Sequence, residues 1–383
     1  MPDLVVLDLP AGPLFVDALR GAWDAGDAVL PLDPRLPPPA ARRLLEAFRP
    51  SRVVSETGTA SLPGGQPVEP GDALVVATSG TSGEPKGVVH THASVAASAL
   101  ATSRALGADP GRDRWVACLP LAHIGGLAVV TRALVTGTPC TVLPRFDAGQ
   151  VAALAAEGAT LVSLVATALG RTDVSGYRAV LLGGAAPPDG LPANVVATYG
   201  MTETGSGCVY DGRALDGVEV RIGTVGDGAD DRAADAGIGE VLLRGPMLLR
   251  AYRDGTDPRL PGGWLPTGDG GRLRADGTLE VVGRLAEVIV TGGEKVWPVA
   301  TEAVLARHPA VAEVAVWKRP DPEWGERVVA WVVARPGHAV PTVAELRDLA
   351  AGQLGPWAAP KEVVPVDALP RTPGGKVRRA DLR

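Results

Sequence analysis

Apolar, strand-like segments alternate with helical segments along the first half of this 383-residue chain. One helical segment is PPPAARRLLEAF (37–48), whose prolines suit a first helical turn. The strand-like segments are AVLPLD (28–33), SRVVSE (51–56), ALVVATSG (73–80), RWVACLPL (114–121), ATLVSLV (159–165) and YRAVLLGG (177–184). Because apolar strands that alternate with helices form parallel sheets with both faces covered, the sequence predicts an α/β fold of mostly parallel sheets.

The strand pattern changes twice further along the chain. From about residue 236 the strands alternate apolar and polar residues, and Asp276-Gly277 is a hairpin signal between two of them. After Arg284 a small α+β pattern follows. We therefore predict a large N-terminal domain at 1–284, with a β-rich subdomain at about 205–284, and a small mobile C-terminal α+β domain at 285–383.

Bulk properties argue against several classes of function. The net charge is −6 without a long basic run, which argues against nucleic acid as the main partner. The start of the chain lacks the pattern of a secretory signal, and no stretch is apolar for the roughly 18 residues that a membrane span needs. Cys118, Cys140 and Cys208 form neither a disulfide framework nor a spaced metal set. We expect a cytoplasmic protein with reduced thiols and no membrane span.

A segment rich in glycine and hydroxyl groups, TSGTSGEPKG (78–87), follows one predicted strand directly. Small residues let backbone N–H groups approach phosphate oxygens, hydroxyls add donors, and a lysine supplies charge. The spacing is not that of an ordinary P-loop, G-x-x-x-x-G-K-[ST], and a simple flexible turn is the alternative. The predicted ATP-binding residues of this segment are Thr78, Ser79, Gly80, Thr81, Ser82, Gly83 and Lys86.

The segment resembles the phosphate loop of the acyl-adenylate-forming superfamily, which includes acyl-CoA synthetases, luciferases and peptide-synthetase adenylation domains. Other motifs of that superfamily follow in order: LLGGA (181–185), YGMTET (199–204), TGD (267–269), Gly283-Arg284 and PGGK (373–376). The resemblance runs from about residue 28 to the last residue. It implies an ATP-dependent ligase that joins a carboxylic acid to coenzyme A through an acyl-adenylate.

The resemblance also assigns the nucleotide contacts. Asp269 is expected to grip both ribose hydroxyls, since a carboxylate accepts from two donors at once, and Arg284 is a second ribose contact. The residues expected at the adenine are Gly184, Ala185 and Tyr199.

The expected catalytic residues are Lys376, Glu203, Thr202 and His123. In the superfamily the threonine meets the α-phosphate and the glutamate helps to hold Mg²⁺. Two anions, a carboxylate and the α-phosphate, must meet, so Mg²⁺ near Glu203 and the ammonium of Lys376 are expected to stabilise the developing charge. His123 lies in the block whose histidine is near the reacting carboxylate.

The C-terminal domain of this superfamily swings between the two half-reactions. The resemblance places Gly292 and Gly293 against the pantetheine arm of coenzyme A, and Lys295 beside them is either a contact to its phosphates or a solvated surface lysine. Relatives usually carry Asp or Lys at the pivot, whereas this chain has Ala286. Either Ala286 is the hinge or Glu287 substitutes for a polar pivot.

Three features point to the acid. The chain is short for the superfamily, the 199–204 block continues as GSGCVYDG (205–212), and Arg132 follows His123 by nine residues within an apolar run. An arginine in a buried helix needs an anionic partner, either a substrate carboxylate or a structural Asp or Glu. These features resemble the o-succinylbenzoate–CoA ligases of menaquinone biosynthesis, particularly actinobacterial ones.

o-Succinylbenzoate, an aromatic dicarboxylic acid, has one carboxylate to be activated and a second that Arg132 is expected to hold. Ser163 and Thr167 either line the same pocket or are ordinary helix and strand residues. The alternatives are another aryl- or acyl-CoA ligase of the superfamily and, remotely, a non-catalytic acyl-adenylate binding protein. The oligomeric state stays open, with a homodimer as one alternative.

Overall fold

The computed structural model describes residues 1–79, 84–188, 190–223, 237–371 and 377–382. The chain divides into two compact units. The first comprises 1–220, 243–265 and 275–279, and the second comprises 221–242, 266–274 and 280–383.

The first seven-stranded sheet contains the N-terminal strands. Its spatial order is β4-β3-β1-β2-β5-β6-β16, and its strands are β1 (Leu4–Asp8), β2 (Ala28–Pro31), β3 (Arg52–Ser55), β4 (Gly58–Ser61), β5 (Asp72–Ser79), β6 (Pro85–Thr91) and β16 (Ala251–Tyr252). The four central strands are parallel, as predicted. The outer strands β4, β6 and β16 are antiparallel to their neighbours. For β3–β4 and β5–β6 the reason is that the connection is too short for the crossover that a parallel pair needs.

The second seven-stranded sheet has the order β13-β12-β11-β10-β9-β7-β8. Its strands are β7 (Trp115–Ala117), β8 (Cys140–Val142), β9 (Leu161–Val165), β10 (Ala179–Gly183), β11 (Val195–Met201), β12 (Ser206–Tyr210) and β13 (Arg213–Ala214). The strands from β8 to β11 are parallel, and β12 and β13 return antiparallel. This sheet packs a core that includes the fully buried Val116, Val162 and Val180.

The described residues of the first unit form the helices α1 (Pro13–Asp24), α2 (Pro38–Phe48), α3 (His92–Leu106), α4 (Ile124–Thr136), α5 (Ala148–Ala156) and α6 (Ala166–Leu169). Helix α2 begins at the prolines, as predicted, and buries Leu44 and Phe48. Helix α3 begins with a reciprocal capping box between Thr91 and Ser94, which satisfies two backbone donors.

A four-stranded sheet has the order β14-β15-β17-β18 and contains β14 (Glu219–Gly223), β15 (Gly239–Arg244), β17 (Leu265–Leu273) and β18 (Leu279–Arg284). A five-stranded sheet follows in the second unit, with β19 (Ile289–Thr291), β20 (Glu294–Val296), β21 (Val311–Asp321), β22 (Gly325–Ala334) and β23 (Glu362–Pro365). Helices α7 (Pro298–Leu305) and α8 (Val343–Leu354) contribute Leu305 and Leu346 to its core.

The predicted α/β class with mostly parallel sheets in the N-terminal part is confirmed: the central strands of both seven-stranded sheets are parallel, and outer strands are antiparallel. The predicted division at residue 284 stays a prediction. Within the described ranges, no helix combines the length and apolar character that a membrane crossing requires. All three cysteines are free, and burial raises the pKa of the Cys118 and Cys208 thiols to about 12.

Candidate active site

The predicted phosphate segment connects the antiparallel strands β5 and β6. Thr78 pairs with Lys86 across this hairpin, and the Thr78 hydroxyl donates to the Lys86 carbonyl at 3.4 Å. The predicted residues Gly80, Thr81, Ser82 and Gly83 lie outside the described residues, as does the side chain of Ser79. Lys86 is exposed, and its ammonium lies 4.9 Å from the centre of the Tyr252 ring, a cation–π distance.

A single 3₁₀ turn at Thr202–Thr204 carries two of the predicted catalytic side chains. It follows β11 where Gly200 lies against β12, so closely that a Cβ there would lie 2.2 Å from the Ser206 carbonyl oxygen. Only glycine fits this approach. The sequence YGMTE thus bends into a tight turn that presents Thr202 and Glu203 at the end of the sheet.

Tyr252 holds the Glu203 side chain. Its hydroxyl donates to Glu203 Oε1 at 3.0 Å, and the Leu249 amide donates to the Glu203 carbonyl at 2.8 Å. Burial, and then the neighbouring Glu203 carboxylate, raise the pKa of Tyr252, so its hydroxyl stays protonated and keeps donating. Tyr252 therefore contacts both the Lys86 ammonium and the Glu203 carboxylate, which places a cation and an anion at one tyrosine.

Glu203 fits a magnesium site that relies on nucleotide oxygens. Mg²⁺ prefers hard oxygen ligands and is usually held by one or two carboxylates together with substrate phosphates and water. Only Oε1 of Glu203 has a hydrogen-bond donor in the described part of the chain. Groups of three or more His, Cys, Asp or Glu side chains able to hold a metal are absent among these residues, so the phosphates would have to supply the remaining ligands.

The expected adenine contacts lie at the ends of neighbouring strands. Gly184 and Ala185 are exposed and follow the end of β10, and Gly184 has φ of +86°. Tyr199 lies half-buried in β11, beside β10. Carboxyl ends of adjacent parallel strands form the crevice where open α/β sheets usually bind ligands.

His123 is the N-cap residue of helix α4 and is largely exposed. Its Nε2 lies 3.6 Å from Asp33 Oδ2. A hydrogen bond from Arg35, opposed by partial burial, lowers the pKa of Asp33, so this carboxyl is ionised at neutral pH. The imidazole thus lies beside a fixed negative charge at the start of a helix.

Arg132 is buried in α4, with 2% of its surface exposed. Its guanidinium carbon lies 4.8 Å from the centre of the Trp115 ring. Within the described residues, Nε and Nη1 of Arg132 have no hydrogen-bond partner, and burial lowers the pKa of the group. An unpaired buried guanidinium is costly, and it lines a cavity of about 10 Å³, room for a single water.

The remaining acid-site predictions are less enclosed. Ser163 lies half-buried in β9, and Thr167 is exposed in α6. Arg132 follows the N-cap His123 by nine residues, which corresponds to about 13 Å along the axis of α4. His123 and Arg132 therefore mark two separate ends of this region.

In the second unit, Asp269 and Arg284 lie together. Arg284 Nε is 3.1 Å from Asp269 Oδ1, and Arg284 Nη1 donates to the Thr267 carbonyl at 2.8 Å. The Thr267 hydroxyl donates to the Val241 carbonyl, and the Gly268 amide donates to Glu240. The TGD segment is thus fixed by its own backbone and side-chain bonds, and Asp269 is buried.

The predicted hinge residue lies in a 3₁₀ turn of the same unit, and the predicted coenzyme A residues lie in and beside a hairpin turn. Ala286 is exposed in a 3₁₀ turn at Leu285–Glu287, and Arg379 Nη1 donates to Glu287 at 2.7 Å. Gly292 and Gly293, with φ of +59° and +88°, form the two-residue turn between β19 and β20, and Lys295 follows in β20. Lys376 lies outside the described residues.

Two residues that contact the Thr202–Thr204 turn, Tyr252 and His90, were not predicted from the sequence. Tyr252 has no local signal, because it lies 49 positions from the Glu203 that it binds. His90 is fully buried, and its Nε2 lies 2.7 Å from the Thr202 carbonyl oxygen. A histidine inside the apolar strand GVVHT was a signal that could have been noticed.

Comparison with known proteins places these residues in context. The family model described as AMP-binding enzyme matches residues 62–253, and the model of the AMP-binding enzyme C-terminal domain matches 300–376. A relative named probable 2-succinylbenzoate–CoA ligase from Mycobacterium tuberculosis is 39% identical over 373 residues, covering 90% of this chain and 93% of the relative.

Solved structures give the same picture. The o-succinylbenzoate CoA synthetase of Bacillus subtilis, in complex with the acyl-adenylate intermediate, matches with a TM-score of 0.85 at 27% identity, over 100% of this chain and 88% of that chain. The same synthetase in complex with ATP and magnesium ion matches with a TM-score of 0.83 at 26% identity, over 99% and 89%.

Proposed function

Because this chain belongs to the AMP-binding enzyme family, we propose that it joins 2-succinylbenzoate to coenzyme A through an acyl-adenylate. The resemblance to the acyl-adenylate-forming superfamily that the motifs predicted is confirmed by the family models and relatives. In the proposed reaction the succinyl carboxylate attacks the α-phosphorus of ATP and pyrophosphate leaves. The thiol of coenzyme A then attacks the acyl carbon, and AMP leaves.

The observation that carries the choice of acid is the buried guanidinium of Arg132. In a monocarboxylic acid the only carboxylate reacts with ATP, and Arg132 gains no anionic partner. 2-Succinylbenzoate has a second carboxylate that Arg132 can bind. The cavity beside Arg132 is too small for that group, so binding has to widen it. Apart from the cavity, the Arg132 guanidinium contacts the fully buried ring of Trp115, whose centre lies 4.8 Å from the guanidinium carbon.

The first half-reaction is proposed to use the groups gathered around Tyr252. Lys86, on the hairpin, attracts the phosphates of ATP, and the Thr202 hydroxyl is placed for the α-phosphate. Glu203 is the carboxylate that would hold Mg²⁺, whose charge screens the repulsion between the two reacting anions when it is bound. Tyr252 keeps the Glu203 carboxylate in one orientation.

Asp269 and Arg284 are the proposed ribose contacts, and Lys376 is the proposed catalytic lysine. The buried Asp269 carboxylate suits two hydroxyl donors, and Arg284 fixes its orientation. Lys376 is proposed to bridge the substrate carboxylate and the nucleotide in the first step only. The Gly292-Gly293 turn and Lys295 are proposed contacts for coenzyme A, with Ala286 at the hinge. A role in menaquinone biosynthesis and a cytoplasmic location belong to this proposal, and the homodimer alternative stays a prediction.

An acid-dependent exchange assay tests the function. The chain is incubated with ATP, Mg²⁺ and labelled pyrophosphate, together with 2-succinylbenzoate, benzoate, succinate, malonate or octanoate, and thioester formation is followed after adding coenzyme A. We expect the highest kcat/KM with 2-succinylbenzoate and a thioester product. A preference for another acid would move the proposal to a different acyl-CoA ligase, and exchange without thioester would exclude coenzyme A as acceptor.

A further inference from the structure

His90 lies in β6 and is fully buried, directly before the first turn of α3. Its Nε2 lies 2.7 Å from the carbonyl oxygen of Thr202, which also accepts the Gly205 amide at 3.0 Å. Because a carbonyl can only accept, Nε2 carries the proton and donates it. The imidazole therefore reaches the backbone of the turn that presents Thr202 and Glu203.

The other ring nitrogen is held by the start of the helix. Nδ1 of His90 lies 3.3 Å from the Ser94 hydroxyl, and Ser94 forms the capping box with Thr91. Burial lowers the pKa of His90 to about 4, so the ring is neutral near pH 7 and keeps one donor and one acceptor. The ring thus joins two rigid elements: the first turn of α3 and the Thr202 turn.

Strand β6 also controls the other side of the same turn. Val88 of β6 pairs with Tyr252 of β16, and Tyr252 donates to the Glu203 carboxylate. One strand therefore fixes the Thr202 carbonyl through His90 and the Glu203 side chain through its neighbour. A small buried cavity, also lined by Thr131 and Gly205, lies beside the imidazole, so the turn has space to shift if the bond is lost.

We propose that His90 is a positioning residue for adenylate formation: its hydrogen bond to the Thr202 carbonyl holds the Thr202 hydroxyl and the Glu203 carboxylate in register with the α-phosphate and its magnesium ion. The role in adenylate formation rests on the proposed function, whereas the hydrogen bond between His90 and Thr202 does not. His90 acts through Thr202 and touches no substrate.

Two amide substitutions separate the two bonds of the ring. The amide nitrogen of His90→Gln replaces Nε2 and can still donate to Thr202, whereas the shorter His90→Asn reaches only the Ser94 side. Thr131→Val is the matched control, because Thr131 is buried on the same cavity and makes no bond to the turn. For each variant we measure thermal stability, magnesium-dependent ATP binding, and the Mg²⁺ concentration that gives half-maximal pyrophosphate exchange.

We expect His90→Asn to bind ATP·Mg²⁺ about tenfold more weakly and to need correspondingly more Mg²⁺, with His90→Gln and Thr131→Val within about threefold of the parent. The proposal is overturned if the affinity of His90→Gln for ATP·Mg²⁺ falls as far as that of His90→Asn, or if His90→Asn binds as tightly as the parent. It is also overturned if Thr131→Val weakens binding as much as His90→Asn does. ATP binding needs no acid, so a parent that fails to use 2-succinylbenzoate would remove the proposed function and leave this comparison intact.

Discussion

Asp269 and Arg284, which the sequence presents as two separate ribose contacts, form an ion pair with 3.1 Å between Oδ1 and Nε. Arg284 is half exposed, with 51% of its side chain accessible, whereas the Asp269 side chain is 10% accessible. Because solvent screens the half-exposed arginine, we expect this pair to contribute only about 0–1 kcal/mol to folding. We therefore expect its main effect to be on orientation: the arginine positions the Asp269 carboxylate for its proposed contact with the ribose hydroxyls.

Replacing Arg284 should separate binding from stability. We expect Arg284→Ala to raise KM for ATP about tenfold, because the carboxylate loses its orienting donor, and to change the free energy of unfolding by less than about 1 kcal/mol. Arg272→Ala is the control, since Arg272 makes a comparable exposed pair with Glu280 at 3.0 Å. Pyrophosphate release at varied ATP checks both variants, and an equal rise in KM would contradict the orienting role.

Local patterns predicted the elements better than their pairing. The prolines of 37–48 marked the start of α2, and the apolar runs marked the central parallel strands. The antiparallel pairing of β5 with β6 was not predicted, because a glycine-rich segment after a strand reads equally well as the start of a helix. The direction of β6 depends on its hairpin with β5, and the sequence of β6 alone does not indicate that direction.

The Tyr252–Glu203 bond predicts a magnesium phenotype. Tyr252→Phe removes a hydrogen bond to a charged group, typically worth about 1.5–3 kcal/mol, and leaves the ring beside Lys86. We expect adenylation to need about tenfold more Mg²⁺ for half-maximal rate. Tyr177→Phe is the matched control, because its hydroxyl donates to the Val151 carbonyl in the core of the second sheet. That control should lose stability with an unchanged magnesium requirement, and a shift in both variants would exclude a specific effect.

The burial of His90 predicts a pH dependence of stability. Its pKa is about 4 in the folded chain and 6.5 in the reference state, so the unfolded chain binds more protons as the pH falls from 6.5 to 4. The contribution is present above pH 6.5 and is lost as the pH falls, by about 2 kcal/mol between pH 7 and pH 5. Urea unfolding at these two pH values should show that His90→Gln loses about 2 kcal/mol less than the parent. Equal losses would mean that His90 titrates alike in both states.

The proposed catalytic groups lie within contiguous motifs that the sequence shows, whereas the residues that bind them were not predicted. Thr202 and Glu203 stand in one recognisable block, whereas His90 is 112 positions from the carbonyl that it binds. Such partners come from strands brought together only by the sheet order, which one sequence does not reveal. Arg132 was the exception, because a permanent charge within an apolar helical run is conspicuous from the residue pattern alone.

The buried guanidinium of Arg132 gives the test of substrate choice. We expect Arg132→Leu to lower kcat/KM for 2-succinylbenzoate about 100-fold, since a charge-assisted bond is lost while the second carboxylate stays buried. The analogue without the ring carboxylate, 4-oxo-4-phenylbutanoate, should show the opposite trend. It should be poor with the parent, where it leaves Arg132 unpaired, and relatively better with the leucine variant.

Stability distinguishes substrate recognition by Arg132 from a structural role. Nε and Nη1 of Arg132 have no hydrogen-bond partner among the described residues, so leucine should leave the free energy of unfolding unchanged or raise it. Arg171→Leu is the matched control, because the Arg171 guanidinium lies 5.7 Å from the Phe146 ring and is exposed. Both acids should behave with that control as they do with the parent. If kcat/KM falls by the same factor for both acids in a folded Arg132→Leu variant, the arginine does not bind the second carboxylate. The acid then has to be sought among other substrates.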